Sequence, residues 1–193
     1  DFKNDSKFNN LTENTMEILF KANSFPNTLN TLMGIESNYL LRIGDATIPN
    51  NQLQVATSVN NCTSADLQLE SGKWYHVAVA FNKGNVKVYI NGVEKLSGST
   101  GKSSVSLGAK HTNEEDGSRC FWVGYSYKDD RYFDGVVSEV RIWNRALTAE
   151  EIQATNHFYT IEPESEGLIA YWKFDEGSGT VAKDYSVSGY DLT

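Results

Sequence analysis

The acidic and histidine residues are the side chains of this chain that could carry acid–base chemistry. Cleavage of a glycosidic bond with retention requires two carboxylates about 5 to 5.5 Å apart, which on one strand means acids two or four positions apart. Glu139 is alone on its predicted strand, and the acidic runs at 114–116 and 129–130 fall in polar loops. Three histidines, each without a nearby nucleophile, are expected to be packed or solvated: His76, His111 and His157. We therefore predict that the chain is not an enzyme.

Sugar recognition needs less: an aromatic ring against the apolar face of a pyranose, and polar groups for its hydroxyls. Trp122 is the best candidate, because Phe121 and Val123 share the core-facing parity and place it on the opposite face. The other three tryptophans lie in strands and are expected to pack in the core: Trp74, Trp143 and Trp172. The predicted recognition surface consists of Trp122, Tyr125, Tyr127, Asp129, Asp130, Arg131 and Tyr132. The alternative is a solvated hairpin with one aromatic side chain tucked beneath it.

Charge and hydropathy exclude several classes of partner. The 193 residues carry a formal net charge of −8, whereas phosphate backbones and anionic lipids are bound by clustered Lys and Arg. No nucleic-acid partner is therefore predicted. No apolar run approaches the roughly 20 residues that span a bilayer, so no membrane insertion is predicted either. The chain begins at Asp1 rather than Met, which is typical of a processed protein or an excised fragment.

The two cysteines, Cys62 and Cys120, are not spaced as metal ligands. One interpretation is a pair of separate buried thiols. The other is a disulfide, which would be reasonable in an exported protein. The sequence leaves both open.

The stretch from Trp74 to Leu96 is predicted to form the centre of the fold. Residues 74–81 alternate with the period of a pleated strand, and both faces are largely apolar. Such a strand is covered on both sides and lies centrally in a packed sandwich. Residues 82–85 reverse the chain, and Asn91-Gly92 after the second strand favours a type I′ hairpin. Shared parity predicts a core containing Val77, Val79, Phe81, Val88, Ile90, Val123, Val140 and Ile142.

Short strand-like runs separated by turn residues recur along the rest of the chain. They cover residues 15–22, 32–35, 39–43, 53–59, 105–109, 121–127 and 135–143. Thr148 and Glu151 form a capping box, which predicts one short helix near residues 148–156. This pattern predicts an all-β fold.

Three segments carry a resemblance to a known family. They are GKWYHVA at 72–78, VYING at 88–92 and FDGVVSEVRIWNRALTAEEI at 133–152. Together they resemble the LamG-like, concanavalin A-like lectin/glucanase domains. The resemblance implies a two-sheet antiparallel jelly-roll sandwich. It extends to the lectin-like domains of secreted or surface lipoproteins of gut bacteria, which implies an extracellular, periplasmic or cell-surface location.

The segment GLIAYWKFDEGSGTVAKDYS, residues 167–186, resembles the part that usually opens such a domain. We predict that residues 1–193 form a single domain in which residues 167–193 supply this opening strand in a circularly permuted order. The alternative is that Gly167 begins a second, truncated copy, with residues 160–166 as a linker.

The resemblance also implies one structural calcium ion, because proteins of this family often hold Ca²⁺ between the opening segment and the strand that begins at Gly135. The matching ligands here are Asp175, Asp184 and Glu139, whose oxygens suit a hard cation. The family commonly has an acid just before that Glu, and this chain has Ser138 instead. One expected ligand is therefore missing.

Two functional hypotheses remain. The first is a non-catalytic carbohydrate-binding module of a secreted or cell-surface glycan-handling protein. The second is a protein-interaction, adhesion or spacer domain, because a fold does not specify its ligand. A jelly-roll glycoside hydrolase is less favoured, since no carboxylate pair is found.

Overall fold

The computed structural model describes residues 2, 5–108, 120–126, 129–158 and 161–193. Within these residues the chain forms eleven strands, one α-helix and three short 3₁₀ turns. The strands are β1 (Glu13–Ala22), β2 (Asn30–Ile35), β3 (Tyr39–Asp45), β4 (Ile48–Thr57), β5 (Asn61–Gln68), β6 (Trp74–Asn82), β7 (Asn85–Ile90), β8 (Val93–Ser99), β9 (Trp122–Val123), β10 (Gly135–Trp143) and β11 (Leu168–Trp172). The helix α1 spans Ala149–Gln153, and the 3₁₀ turns cover Ser6–Phe8, Asp129–Arg131 and Thr155–Phe158. None of the described helices has the length and apolar character to cross a membrane.

The strands form two sheets with antiparallel neighbours. One has the order β11-β10-β1-β6-β7-β8, and the other has the order β5-β4-β3-β2-β9. The predicted two-sheet jelly-roll sandwich is therefore confirmed. β11 pairs with β10, with Val140 opposite Trp172, so the segment that resembles a domain opening lies at one edge of the six-stranded sheet.

The predicted central hairpin is also confirmed. β6 lies between β1 and β7. The turn from β7 to β8 has φ angles of 50° at Asn91 and 79° at Gly92, both positive, as a type I′ turn requires. The turn from β6 to β7 has the same signs, with 46° at Lys83 and 96° at Gly84. The right-handed twist of the strands favours both turns.

The main core lies between the two sheets. Seven of the eight predicted core residues are buried in it: Val77, Val79, Phe81, Val88, Ile90, Val140 and Ile142. The eighth, Val123, is partly buried and packs against the same cluster. At one end the core is aromatic, with Phe2 stacked on Phe8 and Phe121 beside Trp172.

A second, smaller apolar cluster covers the outer face of the six-stranded sheet. It joins strand residues to the connection between β10 and β11 and contains Ala78, Ala80, Tyr89, Trp143, Leu147, Ile152, Leu168 and Tyr171. The capping box begins α1 within this connection: Thr148 Oγ1 accepts from the Glu151 N–H at 3.2 Å, and Glu151 Oε2 accepts from the Thr148 N–H at 2.8 Å. The face of β6 that carries Ala78 and Ala80 is therefore covered, as its composition predicts.

β10 carries one residue more than the partner strand it pairs with. Leu19 of β1 lies opposite Glu139, whereas the next residue, Phe20, lies opposite Val137. Ser138 is therefore the extra residue of a β-bulge. Val137 packs against the main core, while Arg141 and Trp143 lie on the outer face with Glu139.

Several predictions about local structure differ from what is observed. Trp74 is 46% exposed, so its predicted packing role is wrong. β6 begins at this residue, beyond the end of the smaller apolar cluster that packs on the outer face of the sheet. Of residues 105–109, Val105 makes a single bridge to Leu11, and residue 109 lies outside the described residues. Of residues 121–127, only β9 is a strand within the described part. Both cysteines are free thiols.

Candidate functional site

A surface cavity of about 630 Å³ lies between the edge strand β9 and the C-terminal segment. Trp122 and Tyr125 line it, with their ring centroids 5.4 Å apart and their planes inclined at 69°. Residues 174–182 add apolar groups, two hydroxyl side chains and the carboxylate of Glu176. Aromatic surface beside a few polar groups is the usual composition of a small-ligand site.

The pairing of β9 with β2 positions Trp122. Trp122 lies opposite Gly34, whose φ is 123° and where an added Cβ would lie 2.4 Å from the Tyr39 carbonyl oxygen. Any larger residue would therefore move the backbone onto which β9 docks. The N–H of Gly124 donates to the Leu32 carbonyl at 2.8 Å, so β9 is held at both ends of its short pairing.

Trp122 and the residue before it differ in burial. Phe121 is buried in the main core, whereas Trp122 is partly exposed. The Trp122 indole Nε1 is buried and has no hydrogen-bond partner among the described residues. An unpaired buried donor costs free energy.

Side-chain hydrogen bonds fix the C-terminal wall of the cavity to β11. Asp184 Oδ1 accepts from the backbone N–H groups of Tyr171 and Ser186 at 2.9 and 2.8 Å. Its Oδ2 accepts from the Ser186 hydroxyl at 2.9 Å and from the Tyr190 N–H at 2.7 Å. The Tyr190 carbonyl in turn accepts from Trp172 Nε1 at 2.8 Å. The loop that faces the aromatic pair is therefore anchored to the core.

The structure brings together only part of the predicted recognition surface. Trp122 and Tyr125 share the cavity, but three other described residues of the set do not line it: Asp130, Arg131 and Tyr132. Asp130 is exposed, Tyr132 is 43% exposed, and Arg131 Nη1 pairs with Glu36 Oε2 at 2.8 Å. Two residues cannot be placed: Tyr127 and the side chain of Asp129 lie outside the described residues.

The three carboxylates predicted to bind calcium are engaged with protein donors. Asp184 accepts the four hydrogen bonds given above, Glu139 Oε2 accepts from Arg141 at 2.5 Å and from the Tyr171 hydroxyl at 2.9 Å, and Asp175 Oδ1 accepts from Tyr185 at 2.9 Å. In the described part of the chain they do not form a group of converging ligands. The calcium site therefore stays a prediction.

A different cluster lies on the outer face of the six-stranded sheet. Glu17 Oε1 lies 3.1 Å from His76 Nε2 and 2.5 Å from His157 Nε2, and Glu17 Oε2 accepts from Trp143 Nε1 at 2.6 Å. Burial alone would raise the pKa of Glu17, but hydrogen bonds from the two imidazoles hold that pKa well below its usual range. The three side chains are buried, and they could bind a metal ion.

Sequence reasoning treated these histidines as scattered. His76 is 59 residues from Glu17, and His157 is 140 residues away, so no local spacing reports the cluster. The pairing of Leu19 with His76 between β1 and β6 brings the first two close together. Only the path of the β10–β11 connection brings His157 to them. His111 lies outside the described residues.

A jelly-roll sandwich with an aromatic-lined surface cavity has the architecture of lectin-like domains. The chain belongs to the concanavalin A-like lectin/glucanases superfamily, whose family model matches residues 2–153. The predicted family is thereby confirmed.

Known proteins that resemble the chain differ in function. A candidate carbohydrate-binding protein from Bacteroides ovatus is 29% identical with a TM-score of 0.77, over 95% of this chain and 53% of that one. Domain 4 of an extracellular arabinanase from Geobacillus stearothermophilus, solved with arabinotriose, is 24% identical with a TM-score of 0.54, over 76% of this chain and 68% of that one. The second similarity shows the fold alone.

One human protein is also similar. Adhesion G-protein coupled receptor D1 is 34% identical over 85 residues, which is 41% of this chain and 8% of the receptor. The chain thus spans about half the length of the Bacteroides protein and under a tenth of the receptor. The chain is therefore similar in structure to a candidate carbohydrate-binding protein and to a domain of an arabinanase, and similar in sequence to part of a receptor.

Proposed function

We propose that this chain is a non-catalytic carbohydrate-binding module whose glycan occupies the cavity between Trp122 and residues 174–182. The observation that carries the proposal is the pairing of an inclined aromatic couple, Trp122 and Tyr125, with an anchored polar loop across a cavity of about 630 Å³. A sugar ring would contact the aromatic surface, and the loop would bind its hydroxyls. The similarity to the Bacteroides protein supports the same class of ligand.

The acidic content of the cavity favours binding over cleavage. Glu176 is the one acidic side chain among the described lining residues, and its Oε1 accepts from the Lys183 N–H at 2.7 Å. Hydrolysis of a glycosidic bond commonly requires two carboxylates, one on either side of the bond. The cavity therefore supports recognition of a glycan without a reaction on it.

A glycan array tests this proposal, with one blocking variant and one matched control. Ser178 is exposed and lines the cavity, so Ser178→Arg should fill part of the space and abolish binding to the glycans that the wild type recognises. Val187 is 70% exposed on the same segment and does not line the cavity, so Val187→Arg adds the same charge and should leave binding unchanged. Equal binding by both variants would contradict the proposed location.

The second candidate function is a protein-interaction, adhesion or spacer domain. The 85-residue similarity to an adhesion receptor favours it. If the wild type binds no glycan on the array but binds a purified surface protein saturably, this candidate is supported and the first is rejected. Either function is consistent with the proposed extracellular, periplasmic or cell-surface location.

We also retain structural calcium at Asp175, Asp184 and Glu139 as a proposal, supported by the family resemblance. Asp175 is the most exposed of the three and has the fewest protein donors in the described contacts. If calcium binds there, Ca²⁺ should raise the melting temperature of the wild type and not of Asp175→Asn. An equal response of the two proteins would reject this ligand set.

A further inference from the structure

The cluster of Glu17, His76 and His157 lies away from the proposed glycan cavity and takes no part in the proposed function. Each residue comes from a different element: Glu17 from β1, His76 from β6 and His157 from the 3₁₀ turn Thr155–Phe158. We propose that these three side chains bind one divalent transition-metal ion of the zinc class. The ion fastens the β10–β11 connection to the six-stranded sheet.

The donor set determines the class of ion. Two imidazole nitrogens and one carboxylate oxygen suit Zn²⁺ and its neighbours Co²⁺ and Ni²⁺. Ca²⁺ and Mg²⁺ prefer six or more oxygens, which this site does not offer among the described residues. The cluster is therefore distinct in chemistry from the calcium site that the family resemblance implies.

The geometry is close to that of a coordinated ion. The three potential ligand atoms lie within 4.8 Å of one another. Around a tetrahedral Zn²⁺ with bonds of about 2.0 to 2.1 Å, donor atoms stand roughly 3.3 Å apart. His76 Nε2 is already 3.1 Å from Glu17 Oε1, and His157 Nε2 at 2.5 Å would need to move outward by less than about 1 Å.

Neighbouring groups hold two of the three ligands, Glu17 and His157, in position. Trp143 Nε1 donates to Glu17 Oε2 at 2.6 Å, which leaves Oε1 as the oxygen directed at both imidazoles. The Trp143 ring also stacks on the ring of His157, with centroids 6.1 Å apart and planes inclined at 25°. Arg141 Nη1 donates to the His157 carbonyl at 2.8 Å and fixes the turn. Such second-shell contacts are typical of metal sites, where they orient the ligands.

A small cavity beside the cluster leaves space for one further ligand. A cavity of about 30 Å³ borders the cluster and is lined in part by Glu17, His76, Glu139 and Arg141. It is large enough for one water molecule, which could complete a four-coordinate site.

The elements joined by the ion explain its role. His157 lies in the connection between β10 and β11, whereas Glu17 and His76 lie on adjacent strands near the centre of the sheet. One ion would link three elements that are far apart in sequence. Since metal binding to the folded state adds directly to stability, the connection should be held more firmly when the ion is bound.

Metal titration of the chelator-treated chain tests the proposal. The wild type should bind one Co²⁺ per chain, with the visible absorption bands of a four-coordinate complex, and Zn²⁺ should displace it with a dissociation constant below about 1 µM. His157→Gln should weaken binding more than about 100-fold, because loss of an outer-shell partner alone costs roughly 10- to 100-fold. His111→Gln, which changes the third histidine of the chain, is the matched control and should bind as the wild type does.

Three results would overturn the proposal: no stoichiometric Co²⁺ binding by the wild type, wild-type affinity in His157→Gln, or an equal loss in His111→Gln. If His157→Gln does not fold, the imidazole proton resonances of the wild type supply the same test. Zn²⁺ should then shift the signals of two histidines and leave the third unchanged. Shifts confined to one histidine, or spread over all three, would reject the ligand set.

Discussion

Replacement of Trp122 by Ala gives the most direct measure of the proposed glycan site. A pyranose ring on the indole would cover about a quarter of the roughly 200 Å² that a tryptophan can bury, or about 50 Å², worth about 1.3 kcal/mol. The expected loss is therefore about 1 to 2 kcal/mol, or roughly 5- to 30-fold in the dissociation constant.

Two further variants separate the contributions. Trp122→Phe keeps a smaller aromatic face, so binding should weaken less than it does in Trp122→Ala. Trp74→Ala removes a tryptophan that is 46% exposed and does not line the cavity, so it should bind glycan as the wild type does. Isothermal titration with the strongest ligand from the array measures all three dissociation constants.

Stability measurements on the same variants show whether the fold is intact. Trp122 is partly exposed on an edge strand, so Trp122→Ala should lower the free energy of unfolding by only about 1 kcal/mol, as measured by urea denaturation. Wild-type affinity in Trp122→Ala would refute the reasoning. An equal loss of affinity in Trp74→Ala, or unfolding of Trp122→Ala, would refute it as well.

Three more predictions concern the fold. Ile142 is fully buried in the main core, so Ile142→Ala should cost about 2 to 4 kcal/mol in urea denaturation, whereas Val93→Ala, at a site 54% exposed, should cost less than about 0.5 kcal/mol. Truncation after Pro163 removes β11 and exposes the edge of β10, so the product should aggregate or unfold. If size-exclusion and thermal measurements instead show a monomer that melts cooperatively, residues 167–193 belong to a separate domain. Burial raises the pKa of Tyr171 to about 12 from its ordinary value of 10.0. The stability that the neutral phenol contributes is therefore present below pH 10 and lost between about pH 10 and 12. Tyr171→Phe should lose less stability over that range than the wild type.

Features encoded within a few residues could be predicted from the sequence. The turn at Asn91 and Gly92 has the positive φ angles that its composition favours. The capping box of Thr148 and Glu151 is formed in both directions. Alternation along β6 identified a strand with both faces covered, because period-2 patterning and composition together report burial on each side.

Features that depend on distant segments could not be predicted. Trp74 follows the same alternation as Ala78, but the pattern does not show where along the strand the cover of the outer face ends. The polar strand β5 has little apolar periodicity and is identified only by its pairing with β4. Parity predicted that Trp122 faces away from the core, whereas the opposite wall of its cavity, at 174–182, is more than 50 residues away in sequence. The convergence of Glu17 with His157 depends on the path of a whole connection.

The bulge at Ser138 has a consequence for how the length of this strand can vary. Because Glu139 lies opposite Leu19 and Val137 opposite Phe20, deletion of Ser138 would leave a regular alternation in which both neighbours keep their present faces. Loss of a residue elsewhere in β10 would instead move the side chains on one side of the deletion to the opposite face of the sheet. Ser138 is therefore the point where an insertion or deletion is tolerated with least disruption, and a relative lacking this residue could align with a one-residue gap while keeping the same core and the same outer face.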